Sequence, residues 1–157
     1  MLSLSPTELQ AWRGLLHTHD TLWKTLDAEL GKDGLNLPAY ELLDTVQGAG
    51  DAGIRMTDLA QKLRFSGGGL TRLADKLQAA GLIERRRCEG DGRGWEVVLT
   101  PQGQRQVRRV HAKHLREVRT RFLDHLSAEE IETLARIWTR LGTVQATAHE
   151  DVQEGAA

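Results

Sequence analysis

A chain of 157 residues with 39% hydrophobic and 27% charged side chains is long enough to bury one core without disulfide or metal staples. Its single cysteine, Cys88, excludes an internal disulfide and a thiolate-rich zinc site, and no apolar run approaches the length of a bilayer span. The net charge of -1 gives no overall pull toward nucleic acid, and the first residues lack the basic-then-apolar pattern of a secretory signal, so one cytoplasmic domain without membrane contact is expected.

Ser5-Pro6-Thr7-Glu8 combines a capping serine, a first-turn proline and a glutamate placed to close a capping box, so a helix starts there. Leu9, Trp12, Leu15, Leu16, His19, Leu22, Trp23, Leu26 and Leu30 follow at spacings of three and four, giving an apolar stripe that ends near Gly31 and must be covered by something. Pro38 opens a second helix through Tyr40, Leu42, Leu43 and Val46, which the glycines at 48, 50 and 53 terminate. Ile54-Arg55-Met56 reads as an extended link, and Thr57 as the cap of a helix through Leu59, Ala60 and Leu63.

Residues 64–69 read as a turn into the next helix, whose Leu70, Leu73, Ala74 and Leu77 supply a buried face until Gly81 stops it. Residues 82–87 and 95–100 are two strands around a glycine-rich tip at 89–94. Thr100-Pro101 caps a long helix with Val107, Val110, His114, Leu115, Val118 and Phe122 on its stripe and a dense basic face beside it. Ser127-Ala128-Glu129-Glu130 is a second capping box, and Ile131, Leu134, Ile137, Trp138, Leu141 and Val144 carry the last helix to about residue 148. The fold class is therefore mainly α with a small β wing.

Charge is distributed unevenly along these elements. Residues 1–61 carry four Lys and Arg against nine Asp and Glu, and residues 122–157 two against seven, whereas residues 62–93 carry eight against four and residues 104–121 seven against one. Salt confines each charge to about 10 Å, so the basic middle attracts phosphates whatever the total. A helix-turn-helix followed by a hairpin suits duplex DNA, since a helix fits the major groove and a thin basic loop reaches the neighbouring minor groove. Thr71, Arg72 and Lys76 lie opposite Leu70, Leu73 and Leu77, where they meet bases or phosphates. Arg93 sits at the wing tip, with Asp91 placed to orient it. Arg85-Arg86-Arg87 is either a solvated strand edge or a set of phosphate contacts, and its place before the wing favours contacts by Arg86 and Arg87.

Met56-Thr57-Asp58-Leu59-Ala60, Leu70-Thr71-Arg72-Leu73 with Asp75-Lys76-Leu77, Gly81-Leu82-Ile83-Glu84-Arg85, Asp91-Gly92-Arg93 and Leu99-Thr100-Pro101-Gln102-Gly103 occur in an order and spacing that resembles the MarR family, over about residues 38 to 120. The resemblance implies a winged helix-turn-helix lobe at residues 38–100 and a helical dimerisation region at 5–31 and 101–148. A homodimer would then read a palindromic operator on double-stranded DNA as a repressor, under control of a small aromatic or anionic effector or an oxidant. It also implies an effector site where the first, second and fifth helices meet, for which Trp12, His19, Tyr40 and His111 are the candidates. One departure is Ser66-Gly67-Gly68-Gly69, where the family presents side chains at the start of its recognition helix. Each glycine costs a helix about 1 kcal/mol relative to alanine, so these residues either let the backbone approach phosphates closely or form a flexible lead-in.

Several features have plainer readings. Trp12, Trp23 and Trp138 sit on helical stripes and are expected in a core or dimer interface. His111 and His114 lie three apart and with His17 or His19 have the donors for a metal, but two histidine pairs without an acidic cluster are expected to be structural, so neither a metal nor another cofactor is expected. Cys88 adjoins arginines that would lower its pKa, yet it lies in the wing rather than on the first helix, where the family's peroxide sensors carry theirs. Gly67-Gly68-Gly69 lacks the following lysine of a phosphate loop and no nucleophile motif is present, so no enzymatic activity is expected. The competing readings are a winged-helix module for protein contacts and a small-molecule binding protein without DNA.

Overall fold

A computed structural model describes residues 3–65, 67–87 and 94–154, with side chains described as far as residue 142. The expected Ser66, Cys88, Asp91 and Arg93, and most of the 89–94 tip, lie outside the described residues.

The capping chemistry sets the first two helices. Ser5 Oγ accepts from the Glu8 N–H at 3.3 Å while Glu8 Oε2 accepts from the Ser5 N–H at 2.7 Å, and helix α1 runs Pro6–Gly31. Helix α2, Leu37–Ala49, has Asn36 at its cap, whose Oδ1 accepts from Ala39 N–H at 2.9 Å. Asp27 of α1 takes a second orphan donor, the Leu37 N–H, at 2.7 Å and so ties the two helices together.

A 3-10 turn, Gly50–Ala52, leads into strand β1, Ile54–Arg55, and helix α3, Met56–Leu63. The cap of α3 is Arg55 rather than Thr57, because Ile54 and Arg55 pair with a later strand and the helix begins immediately after them. Thr57 lies inside the helix, its hydroxyl donating to Asp58 Oδ1 at 3.3 Å. Arg64 then adopts the left-handed conformation, φ 53°, and the Phe65 N–H returns to the Ala60 carbonyl at 3.0 Å. This tight stop leaves room for helix α4 to begin at Gly67 and run to Ala79, so the glycines form its first turn rather than the turn before it.

Strands β2, Ile83–Arg87, and β3, Trp95–Leu99, pair antiparallel, with Arg85 opposite Val97, Arg86 opposite Glu96 and Arg87 opposite Trp95. β1 adds to the outer edge of β3, so the expected hairpin is a three-stranded sheet ordered β1-β3-β2. Helix α5, Pro101–Arg121, starts at Thr100, whose hydroxyl donates to the Gly81 carbonyl at 2.6 Å and accepts from Gly103 N–H at 3.0 Å. Gly103 lies directly against the Leu82 carbonyl, where a Cβ has no space.

Leu42, Leu43, Leu59, Leu70, Ile83, Val97, Val107 and Val110 are all buried, so α2, α3, α4, β2, β3 and α5 each place a side chain in the deepest part of one core. The chain divides into two compact units, Met1–Glu117 and Val118–Ala157. The second contains the end of α5, a 3-10 turn at Leu123–His125, and helix α6, Ala128–Glu154, which extends beyond the expected residue 148. Ser127 and Glu130 form the expected capping box at its start, with bonds of 2.7 and 3.3 Å.

Candidate nucleic-acid interface

Helix α4 divides cleanly along its length. Leu70, Ala74 and Leu77 are 1%, 0% and 5% exposed and lock one side into the core, so the periodicity of the helix turns Thr71, Arg72 and Lys76 outward. At Gly68 a Cβ would meet nothing within 4 Å, so the fold itself does not demand glycine there.

Strand β2 holds α4 in place. Arg85 Nη1 meets Asp75 Oδ1 at 2.6 Å and its Nη2 donates to the Thr71 carbonyl at 3.2 Å, so one guanidinium joins the strand to two turns of the helix. Arg86 points the other way: its Nη2 donates to the carbonyls of Asp51 at 2.6 Å and Ala52 at 2.8 Å, and its Nε reaches Glu96 Oε2 at 3.3 Å. Arg87 lies over the indole of Trp95, 5.1 Å from the ring centroid. A cleft of about 410 Å³ is lined by Met56, Thr71, Gln78, Arg85 and Trp95. Trp95 is not singled out in the sequence, although an aromatic at a strand start beside a glycine tip is a usable signal, and Arg85 stands there within the arginine run without its partner Asp75.

The four effector candidates divide into two groups. Tyr40 and His111 are brought together, the hydroxyl 2.9 Å from Nδ1. The same Nδ1 is 3.0 Å from Asp44 Oδ1, and the Tyr40 ring lies against His114 with centroids 4.3 Å apart. When Nδ1 is bare it accepts from Tyr40; when protonated it donates to Asp44. Burial, reinforced by the Asp44 carboxylate, pushes the Tyr40 hydroxyl well above its ordinary pKa, and burial holds His114 below the usual histidine value against the pull of Asp44. Asp44 is not among the sequence candidates, and His114 stands there only in the histidine pair expected to be structural. Trp12 and His19 lie elsewhere along α1; Trp12 is 52% exposed and His19 rests on Trp23. Beside the cluster, Lys113 bonds Asp33 at 2.8 Å and holds that carboxyl below its ordinary pKa, while Gln106 donates to the Asp33 carbonyl at 2.7 Å, so α5 grips the loop between α1 and α2.

Comparison with known proteins fits this geometry. The profile of the MarR family matches residues 33–94. AbsC, a MarR family transcriptional regulator from Streptomyces coelicolor, is 30% identical and superposes with a TM-score of 0.88, over 93% of this chain and 99% of AbsC. The chain belongs to the MarR family. Another similar structure is Sco3205 of the same organism, a MarR family regulator solved in complex with DNA, at 27% identity and a TM-score of 0.86 over 90% of this chain and 89% of that one. The HTH-type transcriptional regulator PrsX of Escherichia coli is 28% identical over 108 residues, 67% of this chain. That match spans 64% of PrsX, just under two thirds of its length. These family members are named as transcriptional regulators rather than enzymes. Among the described residues no helix is long and apolar enough to cross a membrane.

Proposed function

We propose that this chain is a DNA-binding transcriptional regulator, a cytoplasmic repressor without catalytic activity, which binds a palindromic operator as a homodimer. The observation that carries the reading is helix α4: its apolar side is sunk in the core, and Thr71, Arg72 and Lys76 are exposed on the sides turned away from it. In this reading residues 38–100 form the DNA lobe. Arg72 and Thr71 meet base edges, Lys76 and Arg87 meet phosphates, and the backbone at Ser66, Gly67 and Gly68 comes close to the strand. Asp91 and Arg93 keep the wing-tip role that their place in the sequence suggests.

The dimer is supported by α1. Trp12, Leu15, Leu16 and Trp23 on that helix are between 39% and 52% exposed, an apolar surface that a monomer rarely leaves in water. Residues 5–31 and 101–148 would then form the dimerisation region. Two lobes so held would meet half-sites roughly 34–36 Å apart, one helical turn of DNA. An aromatic or anionic effector near Tyr40 and His111, with Trp12 and His19 as further candidates, would act by favouring a lobe spacing that no longer fits.

The test is selection. Duplexes captured by the protein from a random-sequence pool should share a two-fold symmetric motif with half-sites one helical turn apart. Recovery of unrelated sequences by a monomer would overturn both halves of the reading.

A further inference from the structure

The three consecutive arginines of β2 have three different engagements, and the middle one departs from what a wing requires. Side chains alternate across a strand, so Arg86 leaves the opposite face of the β2–β3 pair from Arg85 and Arg87. It reaches the 3-10 turn that ends α2. A guanidinium Nη carries two N–H groups, and on Nη2 of Arg86 the carbonyls of Asp51 and Ala52, at 2.6 and 2.8 Å, take both. Nε has one N–H and directs it to Glu96, the residue opposite Arg86 in the strand register. A side chain that spends these donors on its own protein has few left for a phosphate oxygen.

The turn it grips is also pressed onto the same face of the sheet by its own backbone. Gly53 has φ 74°, and a Cβ there would fall 2.8 Å from Val98 Cγ1 and 2.9 Å from the Val97 carbonyl. The backbone therefore lies flush against β3 while Arg86 fastens the two preceding carbonyls to β2. The end of α2 and the stalk of the wing are fixed to each other at both strands.

We infer that Arg86 is a positioning residue: it sets the angle of the β2–β3 pair to the lobe and makes no phosphate contact of its own. This rests on the DNA-binding reading above, and it replaces the phosphate role that the position of Arg86 before the wing suggests. The fork geometry is the working feature, because a lysine ammonium carries the same charge but does not span two carbonyls and a carboxylate in one plane.

The test uses the full chain as wild type, Arg86→Ala and Arg86→Lys, a duplex captured by the wild type from a random-sequence pool, and amide exchange without DNA. Both variants should exchange faster over residues 50–55 and in β2 and β3. Both should bind the duplex roughly tenfold more weakly, the equivalent of about one charge-assisted hydrogen bond. The slope of log affinity against log salt should stay at the wild-type value in both. A slope shallower by about 0.9 for each lobe of the dimer in Arg86→Ala, restored in Arg86→Lys, marks a phosphate contact and overturns the inference. So does faster exchange with wild-type affinity, which makes Arg86 a fold residue only. A wild type that captures no duplex sinks the DNA-binding reading alone. The exchange comparison then still decides, unchanged exchange overturning the clamp and faster exchange upholding it.

Discussion

Helices α1 and α2 are neighbours in the chain and carry apolar residues at the same helical spacing, yet α2 buries Leu37, Ala39, Tyr40, Leu42, Leu43 and Val46 while α1 buries Leu30 among its 26 residues. The winged lobe that α2 belongs to is completed by its own chain. The stripe of α1 waits for a surface that the described residues of this one chain do not supply, and so the same sequence pattern marks a core in one place and an interface in another.

Substitutions can sharpen that contrast. The largest effects belong to the lobe. Leu42→Ala removes a fully buried side chain from the centre of the core and should cost about 2–5 kcal/mol, read by chemical denaturation with an unchanged m-value. Gly103→Ala should cost a comparable amount, since it drives a methyl group into the Leu82 carbonyl where α5 meets the sheet. On α1 the loss should appear as dissociation rather than unfolding. Trp12→Ala is expected to weaken self-association by roughly 2 kcal/mol in sedimentation, while a substitution of this 52% exposed residue leaves the lobe folded. An unchanged association constant would break the comparison.

Smaller effects test the outward face of α4. Arg72→Ala should cost roughly 1–3 kcal/mol and relax preference at one base pair of each half-site, whereas Lys76→Ala should weaken all duplexes alike and flatten the salt slope by about one unit per lobe. The smallest effect is a pH dependence. Burial holds His114 below the ordinary histidine value of 6.5, so the fold keeps the imidazole neutral and the unfolded chain takes up the proton first as pH falls. Stability from this group is therefore present above about pH 6.5 and declines as pH falls from there toward the lowered value, with Asp44 opposing the loss and His111 adding to it. His114→Asn should flatten thermal unfolding temperatures across that window.

Much of this architecture was legible in the sequence because the signals are local. Ser5 with Glu8, and Ser127 with Glu130, announce their helices within four residues, and the apolar period of α4 told its buried side from its exposed one. What escaped depends on partners distant in the chain. β1 is two residues long, too short to display a period, and exists because Ile54 and Arg55 meet Val97 and Glu96. The cap of α3 is Arg55 rather than Thr57 for the same reason. Arg86 looked like part of a basic edge because the carbonyls it holds lie 34 and 35 positions away. Leu99-Thr100-Pro101-Gln102-Gly103 was recognisable as a motif, but its cause, a hydroxyl bridging Gly81 to Gly103 and a glycine against Leu82, needs the folded chain.

The most direct measurement is the affinity for the captured duplex by fluorescence anisotropy across ionic strength. Phosphate contacts made by a basic helix and wing release counterions, so log affinity should fall in a straight line with log salt, by about 0.9 for each phosphate neutralised on both lobes. A flat line, or no binding in dilute buffer, contradicts the assignment of α4 and the β2–β3 pair to DNA.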